Sequence, residues 1–265
     1  MGGHWLLLER TEQLLIQLYL LGEDPNPIRL FDDTELADCE EESPLLIDAK
    51  TNPSLLSAMR SQPNDWPGLI LESFGELPDL LSHLRHILFI RFEGERRGVL
   101  RYSRPRTASY FFPACDFKTL ALWLGPIQAV NWFGGTWRDS ASDRESWHRL
   151  ENHQANQWRP DRMAQKFALA VAHEQALQRQ QGEHFLYQWW QQQNDTSFET
   201  AWQYLTEGMQ AGFVSAESLS SYLGLRNANP HIHPPASLPH GNDKERLQIL
   251  AQHMATSSHD KEITA

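Results

Sequence analysis

The sequence predicts an α/β (α+β) N-terminal lobe, in which helices flank a mixed sheet, followed by an all-helical C-terminal lobe and a flexible tail. In the first half, short apolar runs alternate with amphipathic stretches, which indicates strands interleaved with helices. A Gly/Ser/Asp-rich break lies at residues 134–143, and the sequence after it is rich in Gln and Ala. We therefore expect an α/β lobe over 1–135, a helical lobe over 143–226 and a mostly disordered tail over 227–265.

The strands of the first lobe are predicted at short apolar runs bounded by turn residues. These runs are 4–8, 28–31, 45–48, 68–72, 88–92, 98–102 and 127–133. The fifth and sixth runs flank a polar turn, so we expect them to form a hairpin.

The first helix is predicted from Glu12 to Leu21, because apolar residues recur there at helical spacing and Gly22 can end the helix. Its predicted inner face consists of four leucines: Leu14, Leu15, Leu18 and Leu21. Further helices are expected to begin at Pro53, Leu77 and Phe117, the first capped by Asn52 and the last by Asp116.

The second lobe is predicted to contain a long helix over 161–180, ended by Gly182, and three shorter helices. The shorter ones cover 185–193, 198–212 and 216–223, with Ser215 as the N-cap of the last. From residue 227 onward Pro, His, Ser and Asn dominate, which is typical of an extended tail with room for a frayed helix over Lys244 to Met254.

The net charge of −11 makes attraction to phosphate backbones or anionic lipid unfavourable, so we expect neither nucleic acid nor a membrane as a partner. Seven acidic residues crowd into 32–42, where like charges resist compact packing. We interpret this acidic run as a solvated loop; a docking site for a basic partner is the alternative.

Composition and motifs indicate a cytoplasmic, non-catalytic protein without a cofactor. Only Cys39 and Cys115 are present, and the N-terminus lacks the pattern of a secretory signal. There is no G-x-S-x-G motif, P-loop or dinucleotide fingerprint. His231, His233 and His240 could suggest a metal site, but a Pro-rich tail is a poor scaffold for fixed ligands, so we expect no metal.

Three segments in the first lobe carry a resemblance to a known family. They are His83–Ile90, which begins H-L-R and continues into an apolar strand; Val99–Arg106, which contains R-Y-S-R-P-R; and Leu122–Pro126, which reads L-W-L-G-P. In order and spacing they resemble the type VI secretion effector adaptors of the Tap, TEC or VasW type, whose members carry R-Y-x-D-P-R and F-F-G-P. The resemblance extends from about Trp5 to Phe133.

One departure from the family pattern changes a charge. Arg104 stands where these adaptors have Asp, beside Arg101 and Arg106. Three arginines this close should repel one another unless a carboxylate lies opposite them. Trp123 and Leu124 replace the usual aromatic pair, which a core can absorb.

The resemblance implies an adaptor or chaperone that binds a cognate type VI effector and helps to load it onto the VgrG spike protein. Such a function needs binding surfaces with a few aromatic anchors. Candidate partner-binding residues are Arg101, Tyr102, Arg104 and Arg106 in the motif, and Trp189, Trp190, Trp202 and Tyr204 in the helical lobe. Because adjacent helical positions diverge by about 100°, we expect Trp189 or Trp190 to be partly exposed.

Two other functions remain open from the sequence. One is an unrecognised hydrolase with its site between the lobes, since a carboxylate pair has no linear motif. The other is an immunity-like protein that binds a toxin and inhibits it.

Overall fold

The computed structural model describes residues 2–92, 96–160, 167–193, 195–235, 237–239 and 241–263. The chain divides into two compact units, Met1–Gln180 and Gln181–Ala265. The first unit contains the sheets and the second is helical, so the fold class is confirmed. The predicted break at 134–143 lies inside the first unit.

A six-stranded sheet is the centre of the first unit. Its strands are β1 (Gly3–Leu8), β2 (Ile28–Arg29), β3 (Leu45–Asp48), β4 (Gly68–Ser73), β7 (Ile127–Gly134) and β8 (Ser146–Glu151). They lie in the order β2-β3-β1-β4-β7-β8, and each neighbouring pair is antiparallel. β1 occupies a central position, and its register places Leu6 opposite Ile47 of β3 and Ile70 of β4.

Helices cover both faces of this sheet. Those of the first unit are α1 (Leu14–Leu21), α2 (Pro53–Ser61), α3 (Leu77–His86), α4 (Pro105–Phe111), α5 (Phe117–Leu124) and α6 (Trp137–Ser140). Side chains alternate along β1, so Leu6 and Leu8 join Leu14 and Leu18 of α1 in one core cluster. Leu7 joins a second cluster on the opposite face, where α3, α4 and α5 pack. Because both faces of the sheet are covered at β1, its side chains are apolar at consecutive positions.

The first unit also contains a three-stranded sheet, and this smaller sheet includes a parallel pair of strands. β5 (Phe89–Arg91) pairs antiparallel with β6 (Arg97–Val99), as the predicted hairpin requires, and parallel with β9 (Phe167–Ala168). Residues 93–95 of the predicted turn lie outside the described residues.

Among the described residues of the first unit, the α-helices α4 and α6 and the strands β8 and β9 were not predicted. The chain leaves the predicted strand 98–102 at Val99 and begins α4 at Pro105, whose fixed backbone suits the first turn of a helix. β8 follows the Gly/Ser/Asp-rich break and pairs with β7 from Ala129↔Glu151 to Gly134↔Ser146. Its polar sequence does not stand out from loop sequence, because β8 is an edge strand none of whose residues is fully buried.

The long helix of the second lobe differs from its prediction. Residues 161–166 lie outside the described residues, Phe167 and Ala168 form β9, and α7 spans Val171–Trp190 without ending at Gly182. Glycine inside a helix costs only about 1 kcal/mol relative to alanine, so it does not stop a helix whose other residues favour it. The predicted helices 161–180 and 185–193 are therefore wrong as separate elements.

The remaining helices of the second unit are α8 (Phe198–Gln210), α9 (Ala216–Ala228) and α10 (Asp243–Ile263). The hydroxyl of Ser215 accepts a hydrogen bond from the backbone N–H of Ser218, which confirms the predicted N-cap of α9. Within the predicted tail, α10 is longer than the frayed helix expected over 244–254. Leu250 and Met254 on α10 are buried.

Candidate protein-binding surface

Glu9, immediately after β1, forms ion pairs with two of the three clustered arginines. Its carboxylate is nine-tenths buried and accepts hydrogen bonds from Arg101 Nη2 at 2.9 Å and Arg104 Nε at 3.4 Å. The Ser103 hydroxyl donates to its other oxygen. A carboxylate therefore lies opposite this pair, which offsets the repulsion expected between the two arginines.

Arg101 also binds the acidic segment. Its Nη2 donates to the Glu42 carbonyl oxygen at 3.1 Å, and its guanidinium lies 5.4 Å from the centre of the Phe31 ring. Arg101 thus links the end of β1 to the segment before β3.

Arg106 has a separate set of partners. Its Nη1 donates to the carbonyl oxygens of Gly135 and Thr136, each at 2.6 Å, and its Nη2 pairs with Glu145 at 2.8 Å. The guanidinium also lies 4.3 Å from the Trp137 ring centre, a cation–π distance. Arg106 therefore attaches α4 to the segment that follows β7.

Tyr102 is a core residue. It is 2% exposed, and its hydroxyl donates to the Leu84 carbonyl oxygen at 2.8 Å. Burial raises the pKa of Tyr102 well above its usual value. Of the four predicted motif residues, only Arg104 is substantially exposed, so their contacts are mainly internal to the first unit.

The predicted aromatic anchors of the helical unit differ in accessibility. Tyr204 is buried, with the Arg226 guanidinium 4.5 Å from its ring centre. Trp189, Trp190 and Trp202 are half-buried, and Trp190 Nε1 donates to the Thr196 carbonyl oxygen at 2.7 Å. The structure therefore leaves the three tryptophans partly accessible and Tyr204 in the core.

A cysteine–histidine pair that the sequence did not indicate lies in the first unit. Cys115 Sγ is 3.3 Å from His173 Nε2. The backbone N–H of Ala170 donates to His173 Nδ1 at 3.2 Å, so in the neutral ring Nε2 carries the proton and points it at sulfur. Burial raises the pKa of the Cys115 thiol to about 12 and lowers that of His173.

This arrangement is the reverse of an activated nucleophile. A cysteine nucleophile needs thiolate character or a base nitrogen that can accept its proton. Here the thiol stays protonated and the facing nitrogen is a donor. Within the described residues, no group of three or more His, Cys, Asp or Glu side chains is placed to hold a metal ion, and His240 lies outside them.

Among the described residues of the first unit, α1 carries more exposed large apolar side chains than any other element. Seven of the eight residues of this helix are apolar or aromatic, yet only Leu14 and Leu18 are buried. Successive positions rotate by about 100°, which places the other side chains on a continuous outer face. Their exposures are 37% for Leu15, 65% for Ile16, 65% for Tyr19 and 78% for Leu20. We call these four residues the α1 face.

An open cleft with a volume of about 550 Å³ borders the α1 face. Leu15 belongs to both, because it lines the cleft together with apolar and charged side chains. The other lining residues are Arg10, Pro27, Ile28, Arg29, Asp32, Glu40, Glu41 and Leu45. The cleft lies beside β2, an edge strand of the large sheet. Apolar surface, three acidic side chains and two arginines therefore meet at this edge.

The acidic segment 32–42 is exposed, but four arginines form ion pairs with its carboxylates. The ion pairs are Arg29–Asp32, Arg29–Glu40, Arg85–Asp33, Arg97–Glu35 and Arg101–Glu42. Among the described residues, no ion pair includes Asp38 or Glu41. The predicted solvated loop is thus a surface segment with defined partners, ending in a short 3₁₀ helix at Glu40–Glu42.

The exposure of side chains on α1 contradicts part of the predicted inner face of this helix. Leu15 and Leu21 were expected to point inward with Leu14 and Leu18, but they are 37% and 46% exposed. A helix that is apolar on all sides gives no amphipathic pattern from which an inner face can be chosen. The presence of apolar residues on all sides of α1 was itself the sequence signal of an exposed apolar face, because a helix of this kind is either fully buried or leaves one apolar face uncovered.

Residues 4–121 match the model of a family described as a domain of unknown function (DUF4123). Over this segment, from β1 into α5, the chain is similar to that family, whose description gives no activity or partner. No curated protein and no solved structure gives a significant match. Among the described residues, no helix has both the length and the apolar character needed to cross a bilayer.

Proposed function

We propose that this chain is a non-catalytic adaptor that binds a type VI secretion effector and helps to load it onto the VgrG spike. The observation that carries the binding function is the α1 face. The identity of the partners rests on the resemblance of the segments between His83 and Pro126 to effector adaptors.

The α1 face supports a binding function on energetic grounds. Burying a large apolar side chain contributes about 1.5–3 kcal/mol relative to leaving it in water. Ile16, Tyr19 and Leu20 are each at least 65% exposed on one helix, so a partner that covers them gains much of this free energy at three adjacent positions. Contiguous apolar patches of this kind mark docking sites in soluble proteins.

Co-purification tests the adaptor function. The tagged full-length chain is expressed with the effector and the VgrG spike protein encoded nearest to it, and captured material is quantified. We expect the effector to co-purify, and the spike to join in the presence of effector. Binding to neither protein would overturn the proposal, and loss of toxin activity without any spike association would identify an immunity-like protein instead.

The docking surface is tested by the double substitution Ile16→Ser/Leu20→Ser. Both side chains point into water, so folding should be little affected, whereas effector capture should fall at least about tenfold. Val171→Ser and Val214→Ser are matched controls, since these valines are 71% and 86% exposed on other segments. Equal capture by all variants would show that the effector binds elsewhere.

A further inference from the structure

The excess negative charge of this protein is concentrated in the part of the sequence that contains α1. Residues 11–49 contain eleven acidic residues and one arginine, a net charge of −10 out of −11 for the whole chain. This segment includes α1, β2, the acidic segment 32–42 and β3. The remaining residues are nearly neutral in sum, so the apolar face lies within the acidic part of the sequence.

Part of this charge takes part in no ion pair among the described residues. Arg10 is a cation close to Glu41, because it lines the same cleft and its Nε donates to the Glu41 backbone carbonyl oxygen at 3.3 Å. The carboxylates of Asp38 and Glu41 make no ion pair with any described residue, and both side chains are exposed. Glu41 also lines the cleft that Leu15 shares with the α1 face. A ligand on the α1 face would therefore have apolar contacts along the helix and carboxylates on the cleft side.

We infer that the α1 face and its cleft bind a cationic amphipathic segment of the partner protein, with apolar side chains on one side and Lys or Arg at the edge. The inference rests on the proposed adaptor function and specifies the chemistry of the bound segment. An amphipathic helix laid on an apolar surface is a common mode of peptide recognition, and opposite charges at the rim select the partner and speed association.

Other occupants fit this surface less well. A second copy of the chain would bring its own Asp38 and Glu41 carboxylates, which make no ion pair with any described residue, to the same surface, so self-association here would place like charges together. Anionic lipid would meet the same repulsion. A cationic protein segment gains from both the apolar face and the acidic rim.

Designed peptides test the inference without the natural partner. The probe is a fluorescent peptide of about 18 residues that forms a helix with Leu on one face and Lys on the other. One comparison peptide has Glu in place of Lys, and another has the Leu/Lys composition in scrambled order. Binding to the full-length protein is measured by fluorescence anisotropy. We expect the amphipathic Leu/Lys peptide to bind at least about tenfold more tightly than either comparison peptide.

Variants locate the binding. Ile16→Ser/Leu20→Ser should weaken the Leu/Lys peptide about tenfold, and Asp38→Lys/Glu41→Lys about fivefold, with the second effect shrinking at high salt. Two controls lie outside the α1 face: Asp65→Lys reverses an exposed charge, and Val171→Ser removes an exposed apolar side chain. Each should change the affinity for the peptide by less than about twofold.

Each other outcome overturns the inference. Equal affinity for the scrambled peptide would show attraction by charge alone. Equal affinity for the Leu/Glu peptide would remove the role of the acidic rim. A dimer in sedimentation that Ile16→Ser/Leu20→Ser abolishes would assign the α1 face to a second copy, and binding to vesicles containing phosphatidylserine would assign it to lipid. Because the natural effector takes no part, these results are independent of the co-purification test.

Discussion

Glu9 joins three parts of the first unit through one carboxylate. It follows β1 directly, its backbone N–H donates to the Pro67 carbonyl oxygen at 2.9 Å, and its side chain receives Arg101 and Arg104 from the segment before α4. A buried carboxylate that pairs with a mostly buried guanidinium stabilises the fold while its charge is present, because neutralising it leaves Arg101 without this partner.

The substitution Glu9→Gln should therefore lower the free energy of unfolding by about 2–4 kcal/mol, since it keeps the shape and removes the charge. Urea unfolding followed by tryptophan fluorescence measures the change. Glu12→Gln is the matched control, because Glu12 is exposed and should change stability by less than about 0.5 kcal/mol. Equal stability of the two variants would show that the pair with Arg101 has no net effect.

The same residues show what the sequence could and could not predict about the site. The clustering of Arg101, Arg104 and Arg106 indicated that these side chains repel one another unless a carboxylate lies opposite them. It could not identify Glu9, which is about ninety positions away along the chain. Contacts at such separation depend on sheet order and register, which a local pattern does not contain. The partner-binding role of the predicted residues stays a prediction.

At the scale of elements, α5 ends at a position that only glycine can occupy. Gly125 has φ +52°, and a Cβ there would lie 2.4 Å from the His83 ring. His83 is buried, and its Nε2 donates to the Trp123 carbonyl oxygen at 2.9 Å, so the ring cannot move without losing this hydrogen bond. The end of α5 at Gly125 and the His83 ring therefore constrain each other's position.

Gly125→Ala should consequently lower the melting temperature by several degrees, because it combines backbone strain with a clash, at a cost of about 2 kcal/mol or more. Differential scanning calorimetry measures the shift. Gly224→Ala in α9 is the opposite case: nothing lies within 4 Å of a Cβ there, and alanine should stabilise the helix by about 0.5–1 kcal/mol. A destabilised Gly224→Ala variant would contradict this account.

Elements with strong local signals were predicted, and elements without an apolar pattern were not. Asp116 and Ser215 cap α5 and α9 as expected, and the apolar runs of β1, β3, β4 and β7 all form strands. β8 is polar at most positions and is a strand because β7 pairs with it. The orientation of α1 was not predictable, since apolar residues surround the whole helix.

At the scale of the whole molecule, several pKa shifts make the protein sensitive to acid. Burial lowers the pKa of His83 to about 4, and it also lowers that of His173. A hydrogen bond from Arg149 lowers the pKa of Glu72. Burial raises the pKa of Asp139, but the hydrogen bonds from Thr136 outweigh this effect and the net pKa is lowered. In every case the unfolded chain takes up protons at a higher pH than the folded one.

Stability should therefore fall in two windows as the pH is lowered. The unfolded His83 side chain titrates near pH 6.5 and the folded one near 4, so the loss begins below about pH 6.5 and reaches about 3 kcal/mol near pH 4. Glu72 and Asp139 contribute stability that is present above the unfolded carboxyl pKa values and is lost below about pH 4.5.

The variant His83→Gln isolates the contribution of His83 to the loss of stability in the first window. Its side-chain amide can still donate to the Trp123 carbonyl oxygen but does not titrate. Urea unfolding at intervals between pH 7.5 and 4.5 should show a shallower loss of stability for the variant than for the wild-type chain. Identical slopes would mean that His83 takes up its proton in the folded state at its ordinary pH.

The two cysteines differ in a way that allows the proposed docking surface to be observed. Cys115 is held as a thiol by its raised pKa, whereas Cys39 is exposed in the acidic segment, next to Glu40 and Glu41 of the cleft. A maleimide dye added briefly at neutral pH should therefore label Cys39 alone. The native sequence thus provides a single-site fluorescent reporter beside the α1 face, and occupancy of that face can be followed without introducing a cysteine.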